Sequence, residues 1–197
     1  SGRIIDLVAS LRSYARPDGD PVQNVDVNSG LQDTLRLLSH RLDKIAVNVE
    51  YGELPRISCH PGQLDEVWTN LITNAVEAMS GEASAASDAV GKRPTDRDEL
   101  AGMIGQLNIE TKARGDQIVV TFRDTGPGIA PDVIEHIFQP HFSTKGGEVR
   151  FGMGIGLGLC RSIVENHGGT IRLENVSNPT GTLATVELPT TGIPVSL

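Results

Sequence analysis

The sequence predicts an α+β fold, a two-layer α/β sandwich with a mixed, mostly antiparallel five-stranded sheet. Apolar residues alternate with polar ones, as in strands, at positions 45–51, 106–111, 117–123, 170–174 and 182–188. Helical periodicity marks other segments, and it is most regular between residues 63 and 79. The last four predicted strands come as two adjacent pairs with short turns, which is typical of antiparallel hairpins.

Composition restricts the class of protein. The chain has 197 residues and a mass of 21.0 kDa, which suits one domain of ordinary size. Its formal net charge of −8 argues against general affinity for nucleic acid backbones or anionic membranes. No apolar run approaches the roughly 18 residues that a membrane span needs.

The two cysteines, Cys59 and Cys160, are too few for a disulfide framework, so we expect a reducing, cytoplasmic location. The chain begins with Ser1-Gly2, and we expect it to be a piece of a longer protein, for which a membrane anchor stays open.

Five helices are predicted from apolar spacing and breaker residues. They cover residues 3–15, a segment from an N-cap at Asn28 through Leu42, residues 63–79 with Pro61 near the start, residues 131–138 and residues 155–167. Between the third and fourth helices, residues 80–102 are rich in Ala, Ser, Asp and Gly. We interpret them as a mobile surface insertion, with one helical turn near residues 98–103.

Two asparagines, Asn70 and Asn74, lie one turn apart on the 63–79 helix, on a face that we interpret as opposite the apolar stripe. Asn is a mediocre helix former, so a mid-helix pair indicates a face kept for oxygen ligation, although two solvated polar residues give the same pattern. Amide oxygens suit Mg²⁺, which takes few protein ligands together with water and phosphate.

The segment from Asp124 to Ile129 reads Asp-Thr-Gly-Pro-Gly-Ile and directly follows a predicted strand. An ordinary strand-to-helix turn explains it, but Gly126 and Gly128 also allow the backbone to approach a flat ligand closely. The Asp124 carboxylate is then placed to accept a hydrogen bond from an exocyclic amine. By itself the pattern does not separate these interpretations.

Alternating glycines open the last predicted helix: Gly152, Gly154, Gly156 and Gly158. Neither the Rossmann pattern nor the P-loop fits them in any register. A flexible hinge at a helix N-terminus remains, and such a terminus favours anions because its N–H groups are unpaired.

A segment between these motifs, residues 137–145, reads Ile-Phe-Gln-Pro-His-Phe-Ser-Thr-Lys. We expect Phe138 and Phe142 to anchor a segment that otherwise moves. Lys145 is either a phosphate contact or a solvated surface lysine.

Together these motifs resemble, in order and spacing, the N, G1, F and G2 boxes of the sensor histidine kinases. The matching segments are residues 70–79, 124–129, 137–145 and 152–159. The family belongs to the GHKL superfamily of ATP-binding domains, which also includes gyrase-type and chaperone ATPases. Residues 77–79, Glu-Ala-Met, resemble its nitrogen-regulation-like subgroup.

The resemblance also implies a domain layout and a mobile ATP lid. Residues 1–17 would be the end of a dimerisation helix, residues 24–190 the catalytic ATP-binding domain with a flexible insertion at 80–103, and residues 191–197 a tail.

The resemblance implies ATP and Mg²⁺ as cofactors and a role for each matching residue. Asn74 would be the Mg²⁺ ligand, Asn70 would line the phosphate pocket and act in catalysis with Lys145, and Asp124 would accept from the adenine amino group. The other implied cofactor-binding residues are Gly126, Gly128 and Ile129 at the base, Phe138 in the F box, Thr144 and Lys145 at one end of the lid, and Gly152, Gly154, Gly156, Leu157 and Gly158 at its hinge.

The chain also departs from the family pattern. Many histidine kinases carry Lys or Arg three residues after the metal-binding asparagine, where this chain has Glu77, so Lys145 or Arg150 would supply the basic contact. The residue before Pro61 is usually acidic in the family and is His60 here, which alters the helix cap.

Superfamily members that hydrolyse ATP place a glutamate four residues before the metal-binding asparagine. This chain has Asn70 there, which cannot take a proton and so favours phosphoryl transfer to a protein side chain. We therefore expect the ATP-binding catalytic domain of a two-component sensor histidine kinase. A hydrolysing GHKL ATPase and a nucleotide-sensing interaction module remain alternatives.

The phosphoacceptor should be a histidine on a dimerisation helix, followed closely by an acidic residue. None of the five histidines has that setting, and His141 and His167 are predicted to be structural. Residues 3–15 resemble the end of the second dimerisation helix, so we expect the acceptor upstream of Ser1. The expected partners are those helices, a homodimer in the full-length protein and a response regulator receiver domain.

Overall fold

The computed structural model describes residues 20–81, 103–138, 142–143, 150–151 and 155–193. The helices are α1 (Val27–Leu37), α2 (Ser39–Leu42), α3 (Pro61–Ser80), α4 (Pro131–Ile134) and α5 (Ile155–Asn166). The strands are β1 (Val22–Val25), β2 (Ile45–Tyr51), β3 (Ile57–Cys59), β4 (Gly105–Arg114), β5 (Gln117–Asp124), β6 (Phe142–Ser143), β7 (Arg150–Phe151), β8 (Thr170–Ser177) and β9 (Thr180–Pro189). The predicted helix at 3–15 and most of the predicted insertion lie outside the described residues.

The main sheet consists of the five predicted strands, in the order β2-β4-β5-β9-β8. β2 runs parallel to β4, from Ile45 opposite Gly105 to Tyr51 opposite Thr111, and the other three pairings are antiparallel. The parallel pair follows from the crossover, because β3 and α3 intervene between these two strands in the chain. The fold is therefore α+β with a mixed sheet.

The core lies between this sheet and the helices. The apolar stripe of α3 is buried from Leu64 to Met79, and α3 contacts both α1 and α5. Trp68 on α3 stacks on Phe122 of β5, with ring centroids 5.7 Å apart. The other face of the sheet is polar, as in the contact between Asn48 Nδ2 and Asn108 Oδ1 at 3.0 Å. The helices and the sheet therefore form two layers that enclose one core.

The prediction for the start of α1 is wrong in its capping residue. The N-cap is Asp26, whose Oδ1 accepts a hydrogen bond from the Ser29 N–H at 3.3 Å. Asn28 lies inside the helix, where its amide donates to the Gly52 carbonyl at 3.0 Å and accepts from the Thr111 hydroxyl at 2.8 Å. The Asn28 side chain, which was predicted to cap the helix, thus makes a tertiary contact instead.

Other boundaries also differ from the sequence predictions. The helix predicted through Leu42 is interrupted at Leu38, and α4 ends at Ile134 rather than at residue 138. β1 and β3 were not predicted because they are too short to show alternation, yet they pair antiparallel with Val25 opposite Ile57. Among the described residues, no helix is both long enough and apolar enough to cross a membrane.

Candidate functional site

A buried carboxylate stands at the end of β5. Asp124 is 6% exposed, and its Oδ1 accepts hydrogen bonds from the Gly126 N–H at 2.8 Å and the Thr182 N–H at 3.1 Å. Burial raises the pKa of Asp124, and the hydrogen bonds from Gly126 and Thr182 offset part of that rise. The carboxylate is therefore a hydrogen-bond acceptor with a fixed orientation inside the protein.

The loop after Asp124 is packed against α3. A Cβ on the buried Gly126 would lie 3.0 Å from Asp124 Oδ1 and 3.2 Å from the Ala78 Cβ, so only glycine fits easily between them. Gly128 has φ +82°, a region that favours glycine. The structure thus gives internal reasons for both glycines, and their contact with a ligand stays a prediction.

Asn70 and Asn74 are half-buried on α3. At 100° per residue, Asn74 falls next to the buried Val67 around the helix, and Thr69 occupies the exposed side. Asn70 is two residues, or about 200° around the helix, from both Trp68 and Ile72, so it lies opposite those side chains as predicted. Asn74 lies nearer the edge of the apolar stripe. Neither side chain is fully exposed, and the structure places a neighbouring element beside Asn70.

That neighbouring element is the N-terminal turn of α5. The Asn70 Nδ2 donates to the Glu66 carbonyl at 2.9 Å, and a Cβ on Gly156 would lie 2.9 Å from the Asn70 Oδ1. The structure therefore brings Asn70 to the alternating glycines, of which Gly156 and Gly158 lie in α5. Gly152 and Gly154 lie outside the described residues.

These contacts form a line along α3. Asn70, Asn74 and Ala78 stand on successive turns of one face, with Gly156 beside the first and Gly126 beside the last. Eight residues of helix span about 12 Å. One end of this line has a helix N-terminus, which suits anions, and the other has the buried Asp124, which accepts a hydrogen bond.

Phe138 is half-buried against the core. The Arg161 guanidinium stands 5.4 Å from its ring centroid and pairs with Glu165 at 2.9 Å. Leu157 also packs on the core from the first turns of α5. The predicted lid residues Thr144 and Lys145 lie outside the described residues.

Sequence reasoning missed two residues that hold the Asp124 loop. Thr182 donates its backbone N–H to Asp124, and Asn175 on β8 hydrogen-bonds to the Ile129 backbone, 46 positions away in sequence. No local pattern marks either residue, because both act through pairing of distant strands.

Among the residues that the structure describes, no three His, Cys, Asp or Glu side chains could hold one metal ion together. The half-buried amide of Asn74 fits Mg²⁺, which binds through few protein oxygens and completes its shell with water and phosphate.

The sandwich, the buried carboxylate and the amide-bearing helix are the features expected of an ATP-binding domain of the GHKL class. The chain belongs to the family described as histidine kinase-, DNA gyrase B-, and HSP90-like ATPase, whose family profile matches residues 59–192. The resemblance seen in the sequence is thereby confirmed at family level. Its nitrogen-regulation-like subgroup stays a prediction.

Relatives and solved structures agree with this assignment. Sensor histidine kinase ZraS of Salmonella typhimurium is 29% identical over 191 residues, covering 95% of this chain and 35% of ZraS. The chain thus spans about a third of that relative. The catalytic domain of histidine kinase ThkA superposes with a TM-score of 0.66 at 25% identity, covering 88% of this chain and 97% of that domain.

A second ThkA structure extends the comparison of folds. ThkA in complex with response regulator protein TrrA has a TM-score of 0.68 at 24% identity, covering 96% of this chain and 48% of that chain. At this identity the likeness bears on the fold, which is that of histidine kinase catalytic domains.

Proposed function

We propose that this domain binds Mg-ATP and transfers the γ-phosphoryl group to a histidine on a dimerisation helix, for relay to a response regulator aspartate. One observation carries the proposal. The line along α3 runs from Gly156 past Asn70, Asn74 and Ala78 to the Asp124 loop, and the helix N-terminus at one end and the buried carboxylate at the other support phosphates at the first and the base at the second.

The base end would be read by Asp124, which accepts from the adenine amino group beside Gly126, Gly128 and Ile129. Its buried carboxylate, oriented by backbone N–H groups, supports this role. A base without that amino group would lose this contact, while the carboxylate would keep its hydrogen bonds to Gly126 and Thr182.

The phosphate end would be held by α5 and α3. Gly156, Leu157 and Gly158 lie at the N-terminal turns of α5, and Asn74 would ligate Mg²⁺. Bound Mg²⁺ would neutralise phosphate charge during transfer. Phe138 would border this end, and the predicted contacts of Thr144, Lys145, Gly152 and Gly154 belong to the same proposal.

Asn70 favours transfer over hydrolysis. Its amide cannot remove a proton from water, and its Nδ2 already donates to the Glu66 carbonyl. The domain would therefore orient ATP and leave acceptance to the histidine of another segment.

The layout predicted from the sequence completes the proposal. Residues 1–17 would end a dimerisation helix, residues 24–190 would form the catalytic domain, and the full-length protein would act as a cytoplasmic-facing homodimer. The complex of ThkA with TrrA supports a response regulator as partner.

Calorimetric titration with a non-hydrolysable ATP analogue, with and without Mg²⁺, tests the binding site. Asp124→Asn should weaken binding at least about tenfold, because a hydrogen bond to a charged group is lost. Asn74→Ala should remove the part of the affinity that depends on Mg²⁺. Asn48→Ala, on the outer face of the sheet, is the matched control and should bind normally. Undiminished affinity in Asp124→Asn would overturn the adenine assignment.

Incubation with γ-labelled ATP tests the reaction class. We expect slow release of phosphate and no stable label on the five histidines of this chain. Rapid multiple turnover would instead indicate a hydrolysing ATPase, and label on one of these histidines would contradict an acceptor on another segment.

A further inference from the structure

The side chain of Asn175 makes two short hydrogen bonds to one residue of the Asp124 loop. Its Nδ2 donates to the Ile129 carbonyl at 2.7 Å, and its Oδ1 accepts from the Ile129 N–H at 2.7 Å. A planar carboxamide thus pairs with both backbone groups of Ile129, as a neighbouring strand would. Asn175 is itself exposed at the sheet edge, so packing does not explain its orientation.

The same hairpin holds the other end of the loop. The Thr182 N–H on β9 donates to Asp124 Oδ1 at 3.1 Å, and Gly181 lies so close to the Asp124 carbonyl that a Cβ has no room. The β8–β9 hairpin therefore fixes the loop at both Asp124 and Ile129.

Gly128 makes the Asn175 contact possible. A Cβ at this position would lie 2.9 Å from Asn175 Oδ1, and the φ of +82° also favours glycine. The contact with Asn175 therefore requires glycine at position 128, whether or not a ligand also does.

We propose that Asn175 is a positioning residue for base recognition, acting through Ile129 and resting on the ATP-binding function proposed above. Asp124 and the Ile129 backbone must keep a fixed spacing for a flat base to fit between them. A loop with two glycines has many alternative conformations, and the two Asn175 hydrogen bonds remove them before the ligand arrives. Without these hydrogen bonds, the entropy cost of ordering the loop falls on ligand binding and lowers the affinity.

Affinity for nucleotides with and without the γ-phosphate is the first test, by calorimetry at 25 °C with a non-hydrolysable ATP analogue and with ADP. Asn175→Ala should weaken both by the same factor, about tenfold, because the loop serves the base that they share. Asn175→Asp keeps the acceptor for the Ile129 N–H but sets a carboxylate oxygen against the Ile129 carbonyl, so its affinity should also fall below that of the parent. Asn48→Ala, which removes an amide contact on the outer face of the sheet, should match the parent.

Urea unfolding and hydrogen exchange separate positioning from plain stabilisation. A domain that loses a small part of its stability stays folded at 25 °C, so a purely structural Asn175 would lower the unfolding midpoint without changing affinity. We also expect the Ile129 amide to exchange faster in Asn175→Ala and to stay protected in Asn175→Asp.

The outcomes for the two proposals are distinct. No binding by the parent chain overturns the ATP-binding function. Binding by the parent chain with equal affinity in Asn175→Ala overturns the positioning role alone. A loss confined to the ATP analogue, with ADP unchanged, also overturns it, since that pattern places the effect at the γ-phosphate.

Discussion

The imidazole of His167 joins the end of α5 to the start of α3. Its Nε2 accepts a hydrogen bond from the His60 N–H at 3.1 Å, and its Nδ1 lies 2.7 Å from the Ile163 carbonyl. A backbone N–H can only donate, so Nε2 carries no proton and Nδ1 donates to Ile163. His167 is 3% exposed, which confirms the structural role predicted for it. The two helices that carry the proposed nucleotide site are thereby fixed to each other.

His167→Ala should lower the free energy of unfolding by about 1–3 kcal/mol, because the His60 N–H loses its buried partner. Urea denaturation measures this change. His40→Ala, at an exposed position on α2, is the control and should be within about 0.5 kcal/mol of the parent. Equal midpoints for the two variants would show that the His60 contact does not contribute.

Asp124→Asn should stabilise the ligand-free domain while it weakens nucleotide binding. Burial raises the pKa of Asp124, so the ionised form is disfavoured in the folded state. Thermal unfolding at neutral pH, without nucleotide, should give a higher midpoint for the variant. A lower midpoint would indicate that the hydrogen bonds to the carboxylate outweigh its burial.

The same substitution has a predictable dependence on pH. A raised folded-state pKa means that the contribution of Asp124 to stability is present at low pH and is lost as pH rises through that pKa. The gain in unfolding free energy from Asp124→Asn should therefore be largest at neutral pH. It should shrink as the pH falls toward the unfolded-state pKa of 3.8. Paired urea titrations across this range measure the difference, and an advantage that grows on acidification would contradict the assignment.

Gly156→Ala should reduce nucleotide affinity by about threefold to tenfold without lowering stability. Its new Cβ would lie 2.9 Å from Asn70 Oδ1, so the Asn70 side chain must move, while alanine favours the helix. Gly62→Ala is the matched control on α3, since nothing lies within 4 Å of its Cβ position. It should raise stability by up to about 1 kcal/mol and leave calorimetric affinity unchanged. Normal affinity in Gly156→Ala would indicate that the Asn70 side chain does not contribute to nucleotide binding.

The two cysteines should make the domain sensitive to alkaline pH. Both are fully buried, and burial raises the pKa of Cys59 to about 11 and that of Cys160 to about 12 from an ordinary value of 9.0. The folded state therefore disfavours the thiolates, and stability should fall as pH rises above 9.0. Cys59→Ala should show a shallower fall in urea titrations, although the lost side chain lowers its stability at neutral pH. If stability falls equally steeply with pH in Cys59→Ala and the parent, Cys59 does not contribute to the alkaline sensitivity.

Much of the fold could be predicted because its signals are local and repeated. The strand at 45–51 has the predicted bounds, and the α3 stripe from Leu64 to Met79 is buried as its spacing indicates. The motifs around Asn74 and Asp124 were also visible, because glycines and helical spacing constrain the backbone wherever they occur. The family assignment followed from the order of these motifs.

Contacts between distant segments could not be predicted in this way. Asn28 has every local property of an N-cap, yet Gly52 and Thr111 take its side chain and Asp26 caps the helix. The asparagines of α3 could equally have been solvated side chains, because sequence periodicity does not reveal which neighbouring element covers the polar face of a helix. α5 lies there, with Gly156 against Asn70.

The sequence by itself determined the class of this protein: a mixed-sheet sandwich whose family is set by local motifs in a fixed order. Only the tertiary structure decided how the Asp124 loop is held, by Thr182 and Asn175 from a hairpin about fifty residues further along the chain. The physical reason is that backbone N–H and carbonyl groups are identical at every position. Which side chain satisfies them depends on the three-dimensional pairing of strands.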